Sequence, residues 1–299
     1  MNRSALTAAA LLTMLVPAAL AQAPAAAVAD LQPGFTPGQT GQWTITRTIA
    51  EKSRAIVAET ESTLTATIEC TTEVRSLRGE GGVVVQVAFT RIAGEGTGDE
   101  WTGAYDSARP ETDETTNRDD FDRALHGIVG RTADIVLDEF GTVVDIRGLD
   151  DLQHRDGAAA VIAEAVLGID ALDRSFGPIF AIKTEEPYTV PVGESFEDVC
   201  DSLLSVGRVL TRVTLTLDEY KDSIASLSLT GRTELFGQTP TEVSPRITAQ
   251  EIKGAATWNT ARHALTGYDL SIDWTLEAGG TQLPIKVQRT ETIAIAPKK

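Results

Sequence analysis

Leu270-Ser271-Ile272-Asp273-Trp274-Thr275-Leu276-Glu277 is the stretch whose reading decides the fold. Apolar and polar residues alternate strictly, and because successive side chains on a strand point to opposite faces, this is a strand with one dry face and one wet face. The same alternation recurs at both ends of the chain. In Trp43–Ile49 the apolar Trp43, Ile45 and Ile49 interleave with Thr44, Thr46 and Thr48, and in Thr63–Cys70 Leu64, Ala66, Ile68 and Cys70 interleave with Thr63, Thr65, Thr67 and Glu69. Val83, Val85, Val87 and Phe89 continue the pattern after the turn signal Gly79–Gly82, so three strands form an antiparallel meander. Val209–Leu217, Ala225–Thr230, Ile247–Trp258 and Leu283–Ile295 supply further strands. Threonine, which occurs 38 times, occupies much of the wet face. One polar face over so many strands predicts a large antiparallel sheet, watered on one side and covered on the other.

The middle of the chain carries a different period. Thr116 and Asp119 resemble a capping box, and Phe121, Leu125, Ile128 and Val129 then share a helical face that ends at Gly130. A hairpin follows, 133–137 and 143–146 around Asp138-Glu139-Phe140-Gly141. Helices are predicted for 150–167 and 170–176, stopped by Gly168 and by Gly177-Pro178. The predicted class is therefore α+β, a large curved antiparallel sheet of half-barrel type in which both terminal meanders share one sheet beneath the central helices. Gly94-Glu95-Gly96-Thr97-Gly98 reads as a glycine-rich turn, with an acidic residue where a phosphate would be repelled.

Residues 1–21 combine Arg3, an apolar run from Ala5 to Val16, and the small-residue site Ala19-Leu20-Ala21, the pattern of a secretory signal peptide cleaved before Gln22. The run is shorter than the ~20 residues a membrane span needs. Residues 22–42, rich in Pro, Gly and Ala, read as a flexible segment, and 43–299 as a single α+β domain with a helical insertion at about 115–180. A periplasmic or secreted location follows. The net charge of −17, from 43 acidic and 26 basic residues, excludes a nucleic-acid partner that needs a cationic footprint.

Candidate sites are few. His126, His154 and His263 fall in no metal-ligand spacing, and no nucleophile elbow, Walker loop or dinucleotide fingerprint is present, so no catalytic residue, metal or cofactor is assigned. Nine carboxylates between Asp99 and Asp122 do not fit a calcium-binding EF-hand loop and read as a solvated acidic loop; a secreted hydrolase using them is the enzymatic alternative. An acidic scaffold or interaction surface is a third reading. Cys70 and Cys200, an even count in an exported chain, are a candidate disulfide worth ~4–5 kcal/mol in the loop-entropy model, with two separate buried thiols as the alternative. Phe121, Ile162, Val166, Phe176, Phe180, Trp258 and Trp274 are the candidate lining of an apolar groove between helices and sheet, a pattern that core packing also explains.

The order of these elements, from Tyr105-Asp106-Ser107 through the central helices to Val192-Gly193-Glu194-Ser195-Phe196 and the closing meander, resembles a family of uncharacterised exported bacterial proteins. It is also similar, at the level of shape, to periplasmic half-barrel carriers that hold acyl chains between a curved sheet and helices. The first resemblance implies no activity. The second implies a non-enzymatic envelope protein whose partner is a lipid or another exported protein, although shape alone does not fix function.

Overall fold

The computed structural model describes residues 27–55, 58–77, 82–99, 101–109, 119–149, 156–204, 207–235, 245–278 and 285–298. The proposed signal peptide, His154, and Glu100, Glu111, Asp113 and Glu114 lie outside them. In chain order the elements are β1 (Val28–Asp30), β2 (Thr40–Arg54), β3 (Glu59–Leu77), β4 (Val83–Thr97), β5 (Thr102–Asp106), α1 (Asp120–Leu125), β6 (Thr132–Leu137) and β7 (Val143–Arg147). There follow α2 (Gly157–Leu167), α3 (Ile169–Phe180), β8 (Thr189–Pro191), β9 (Ser195–Leu204), β10 (Gly207–Lys221), β11 (Ile224–Leu235), β12 (Arg246–Asn259), β13 (Ala264–Ala278) and β14 (Ile285–Pro297).

Twelve strands form one antiparallel sheet in the order β7-β6-β4-β3-β2-β14-β13-β12-β11-β10-β9, with β5 on β4. The two ends of the chain join at its centre, where β2 pairs with β14 from Trp43 opposite Pro297 to Arg54 opposite Lys286. The period-two patterning places the dry side chains in cross-strand rows. One row runs Leu215, Leu229, Gly254, Leu270, Ile293, Arg47, Ala66 and Gly94 across eight neighbouring strands. On the opposite face threonine hydroxyls meet across strands, Thr48 with Thr65 at 3.2 Å and Thr46 with Thr67 at 3.4 Å.

The sheet is strongly curled. Register shifts interrupt the ladders at Leu217/Glu219, Ile247/Ala249 and Glu69/Cys70, and an inserted residue bends a strand and steepens its twist. Glycines mark the closest backbone approaches: a Cβ at Gly231 or Gly254 would run into the carbonyl oxygen of Arg212 or Asp269 on the neighbouring strand. As a result the β7 end and the β9 edge, at opposite ends of the strand order, line one cavity together with β13 and β14.

The α+β class is overturned. Among the described residues strands take up 63% and helices 13%, so the protein is mostly β, and helices of 6, 11 and 12 residues cannot form a layer over twelve strands. The first predicted helix shrinks to α1, capped by Asp119, whose side chain accepts from the Asp122 amide at 2.8 Å; beyond Leu125 the chain turns through Gly127 at φ 77°. The last predicted helix lengthens instead. Pro178 lies inside α3, because the turn beyond it carries Ile179 and Phe180 into the core, and that apolar burial offsets the helix cost of proline.

Two loop assignments also change. Gly94–Thr97 is strand, and Gly94 gives α1 its seat: a Cβ there would meet Leu125 and Phe121. Within 22–42, read as flexible, Val28–Asp30 pairs with β8, and Ala29 and Leu31 are fully buried, because both are apolar and the β8 edge is open to them.

Candidate functional site

The seven residues expected to line a groove are all buried and belong to one apolar core. None of them lines the cavity described below, whose floor is made by other residues of the same core. Phe176 stacks on Phe180 at 6.5 Å between ring centroids, and Phe121 meets Trp101 edge-on at 5.7 Å. Cys70 is a free buried thiol, pushed up to about 12 by burial, so the expected bridge to Cys200 is absent. Cys70 stands on β3 and Cys200 on β9, strands that do not pair.

Three carboxylates of the acidic stretch 99–122 have defined partners. Arg91 donates to both oxygens of Asp106 at 3.1 and 2.9 Å and, helped by the Ala108 amide, holds that carboxyl at about 2. Asp119 caps α1 and Asp120 pairs with Arg123.

The cavity measures about 280 Å³ and lies between α3 and the concave face of the sheet. Its floor is apolar, with Val213 and Leu215 from β10, Leu270 and Ile272 from β13, and Ile293 from β14. Asp173 on α3 and Asp198 on β9 also line it. Strand parity places Asp198 on the face of Phe196, while helical periodicity puts Asp173 one turn before Gly177, with its Oδ1 at 3.7 Å from where a Gly177 Cβ would stand. Both carboxylates are exposed to solvent at the mouth of the cavity. Burial, with Asp198 and Asp170 adding repulsion, raises Asp173 to about 6; burial also raises Asp198. Among the described residues no three His, Cys, Asp or Glu side chains converge as metal ligands.

A buried ion cluster fixes α3 beside this cavity. Glu291 of β14, only 3% exposed, receives Arg47 Nε at 2.8 Å and Arg174 Nη1 at 3.0 Å, with Arg289 Nη2 at 3.5 Å. Arg47 also donates to the Ala165 carbonyl of α2 at 2.7 Å, so two helices are tied to the centre of the sheet. The sequence reading passed over this cluster. Its signal is a charge at an inward parity position: Arg47 between Ile45 and Ile49, and Arg289 and Glu291 between Val287 and Ile293.

The raised Asp173 carries a sign that can be tested. A carboxyl whose folded value lies above its ordinary 3.8 favours the fold below that pH, and the benefit is lost as pH rises through about 6. Asp173→Asn is therefore expected to raise the melting temperature at about pH 8 and leave it nearly unchanged at about pH 3.5. A lower melting temperature at the higher pH would contradict the assignment.

No protein-family model matches the chain, and no curated protein matches it, so the family resemblance drawn from the order of elements has no matching family model behind it. Among solved structures, one titled for lipid–protein interactions in lipovitellin is similar at a TM-score of 0.41 and 9% identity, over 89% of this chain and 26% of that one. The chain thus spans about a quarter of that structure's length. Pseudomonas aeruginosa OccK5 (OpdH) is similar at a TM-score of 0.26 and 7% identity, over 87% of this chain and 99% of that one. Likenesses this low imply no shared function.

Proposed function

We propose that this is an exported, non-enzymatic binding protein that holds a small apolar ligand inside its curled sheet. The observation that supports the reading is the cavity itself: about 280 Å³ of space over Val213, Leu215, Leu270, Ile272 and Ile293. Ligand pockets commonly span about 300–1,000 Å³, so this one is at the small end and suits a single aliphatic chain better than a two-chain lipid. The leader-like residues 1–21 support export, and a lipid is favoured over a protein partner because the apolar surface faces inward.

Filling the floor tests the reading. Ile272→Trp is expected to weaken decanol binding, followed by displacement of a fluorescent aliphatic probe, by about tenfold or more, the loss of some 1.4 kcal/mol or more of apolar contact. Native mass spectrometry of the exported protein is expected to show a small apolar adduct that the variant lacks. If the unaltered protein takes up no aliphatic ligand, or the filled variant binds as well as the original, the reading falls.

A further inference from the structure

We propose that the ligand is a single-chain amphiphile with a cationic head, its chain on the apolar floor and its ammonium group between Asp173 and Asp198. This rests on the cavity holding an apolar chain and adds what the other end of that chain must be.

Two cations line the cavity and both are engaged: Arg174 is bound to Glu291 at 3.0 Å, and Lys183 lies over the Phe196 ring at 4.9 Å from its centroid, with Glu185 beside it. Glu197 has Arg212 within 3.9 Å. Asp173 and Asp198 differ: among the described residues neither has an ion pair or a hydrogen bond from another side chain, and Asp198 receives only the Val199 amide. Of the guanidiniums behind α3, Arg174 is the one whose charge is felt at Asp173.

Two carboxylates without a cation partner at the mouth of an apolar-floored space repel each other. A ligand cation relieves both at once, and its chain covers the floor. An anionic head would add to the repulsion and find both cavity cations occupied. A neutral head would leave the repulsion between the two carboxylates unrelieved.

Isothermal titration of the whole protein with decyltrimethylammonium and decyl sulfate below their micelle concentrations, and with decanol below its solubility limit, separates the possibilities. At about pH 7.5 the cation is expected to bind about tenfold or more tighter than decanol, with decyl sulfate weakest. The groups facing Asp173 are Asp170 and Arg174 on α3, Lys183 and Glu185 after it, Glu197 and Asp198 on β9, and Tyr268 on β13. Lowering the pH to about 5 protonates Asp173, which titrates at about 6, and is expected to cut the preference for the cation by about tenfold. Asp173→Asn is expected to remove most of that preference while decanol binding is retained. Equal binding of all three probes, or a preference for the sulfate, overturns the cationic head and leaves the apolar cavity standing. Binding of none overturns both.

Discussion

Glu291→Gln is expected to destabilise the protein by ~3–5 kcal/mol, the cost of leaving buried charges without their partner. The substitution keeps the shape of the side chain but removes the buried anion shared by Arg47, Arg174 and Arg289, of which Arg289 keeps Glu51 at 3.2 Å. Burial alone would raise the Glu291 carboxyl, yet Arg174, Arg47 and Arg289 overcome it and hold the group at about 2. Because that value lies below the ordinary 4.5, the cluster's contribution is complete above pH 4.5 and is lost as pH falls from there through about 2. Urea unfolding should therefore show a wide gap between the original protein and the variant near neutral pH, narrowing in strong acid. Arg174 also anchors α3, so the variant is expected to weaken ligand binding together with stability. A gap of under about 1 kcal/mol at neutral pH would mean that the guanidiniums are satisfied without Glu291.

Gly254→Val is expected to cost ~3 kcal/mol or more, at or beyond the upper end of overpacking effects. The added Cβ would strike the Asp269 carbonyl, which belongs to the β12–β13 ladder and cannot rotate away as a side chain does. Gly177→Ala gives the opposite sign. It lies inside α3, where a Cβ would find nothing nearer than Asp173 Oδ1 at 3.7 Å, and is expected to stabilise by ~0.5–1 kcal/mol through helix propensity. Paired denaturation curves check both. If Gly254→Val were neutral, the curl of the sheet would not depend on the close approach at that glycine.

The strands were legible because their signal is local. Alternation in Leu270–Leu276, Trp43–Ile49 and Thr63–Cys70 placed the dry face, and the junction of the terminal meanders appears as the β2–β14 ladder. The fold class was misjudged because helical periodicity over 115–130 gave no sign that Gly127 would turn the chain after six residues, and because the helices were taken as a cover. Gly94–Thr97 read as a turn, since a glycine demanded by a neighbouring backbone or by an incoming helix looks the same in sequence as one demanded by a turn. The carboxylates of the cavity were out of reach for another reason. Asp173 and Asp198 come from a helix and an edge strand with β8 between them, and only the curl of the sheet brings them to one space. The aromatic residues that drew attention lie elsewhere in the core, and the cavity floor is made instead by aliphatic positions, equally buried and indistinguishable in sequence from the rest of the dry face.

Methyl-labelled NMR during titration with a decyl amphiphile locates the ligand without any substitution. The cavity assigned here predicts that the methyl signals of Val213, Leu215, Leu270, Ile272 and Ile293 shift together and saturably, while those of Ile68 and Ile92, buried elsewhere in the same core, stay in place. Shifts confined to methyls outside the cavity, or none at concentrations that saturate binding, would contradict it.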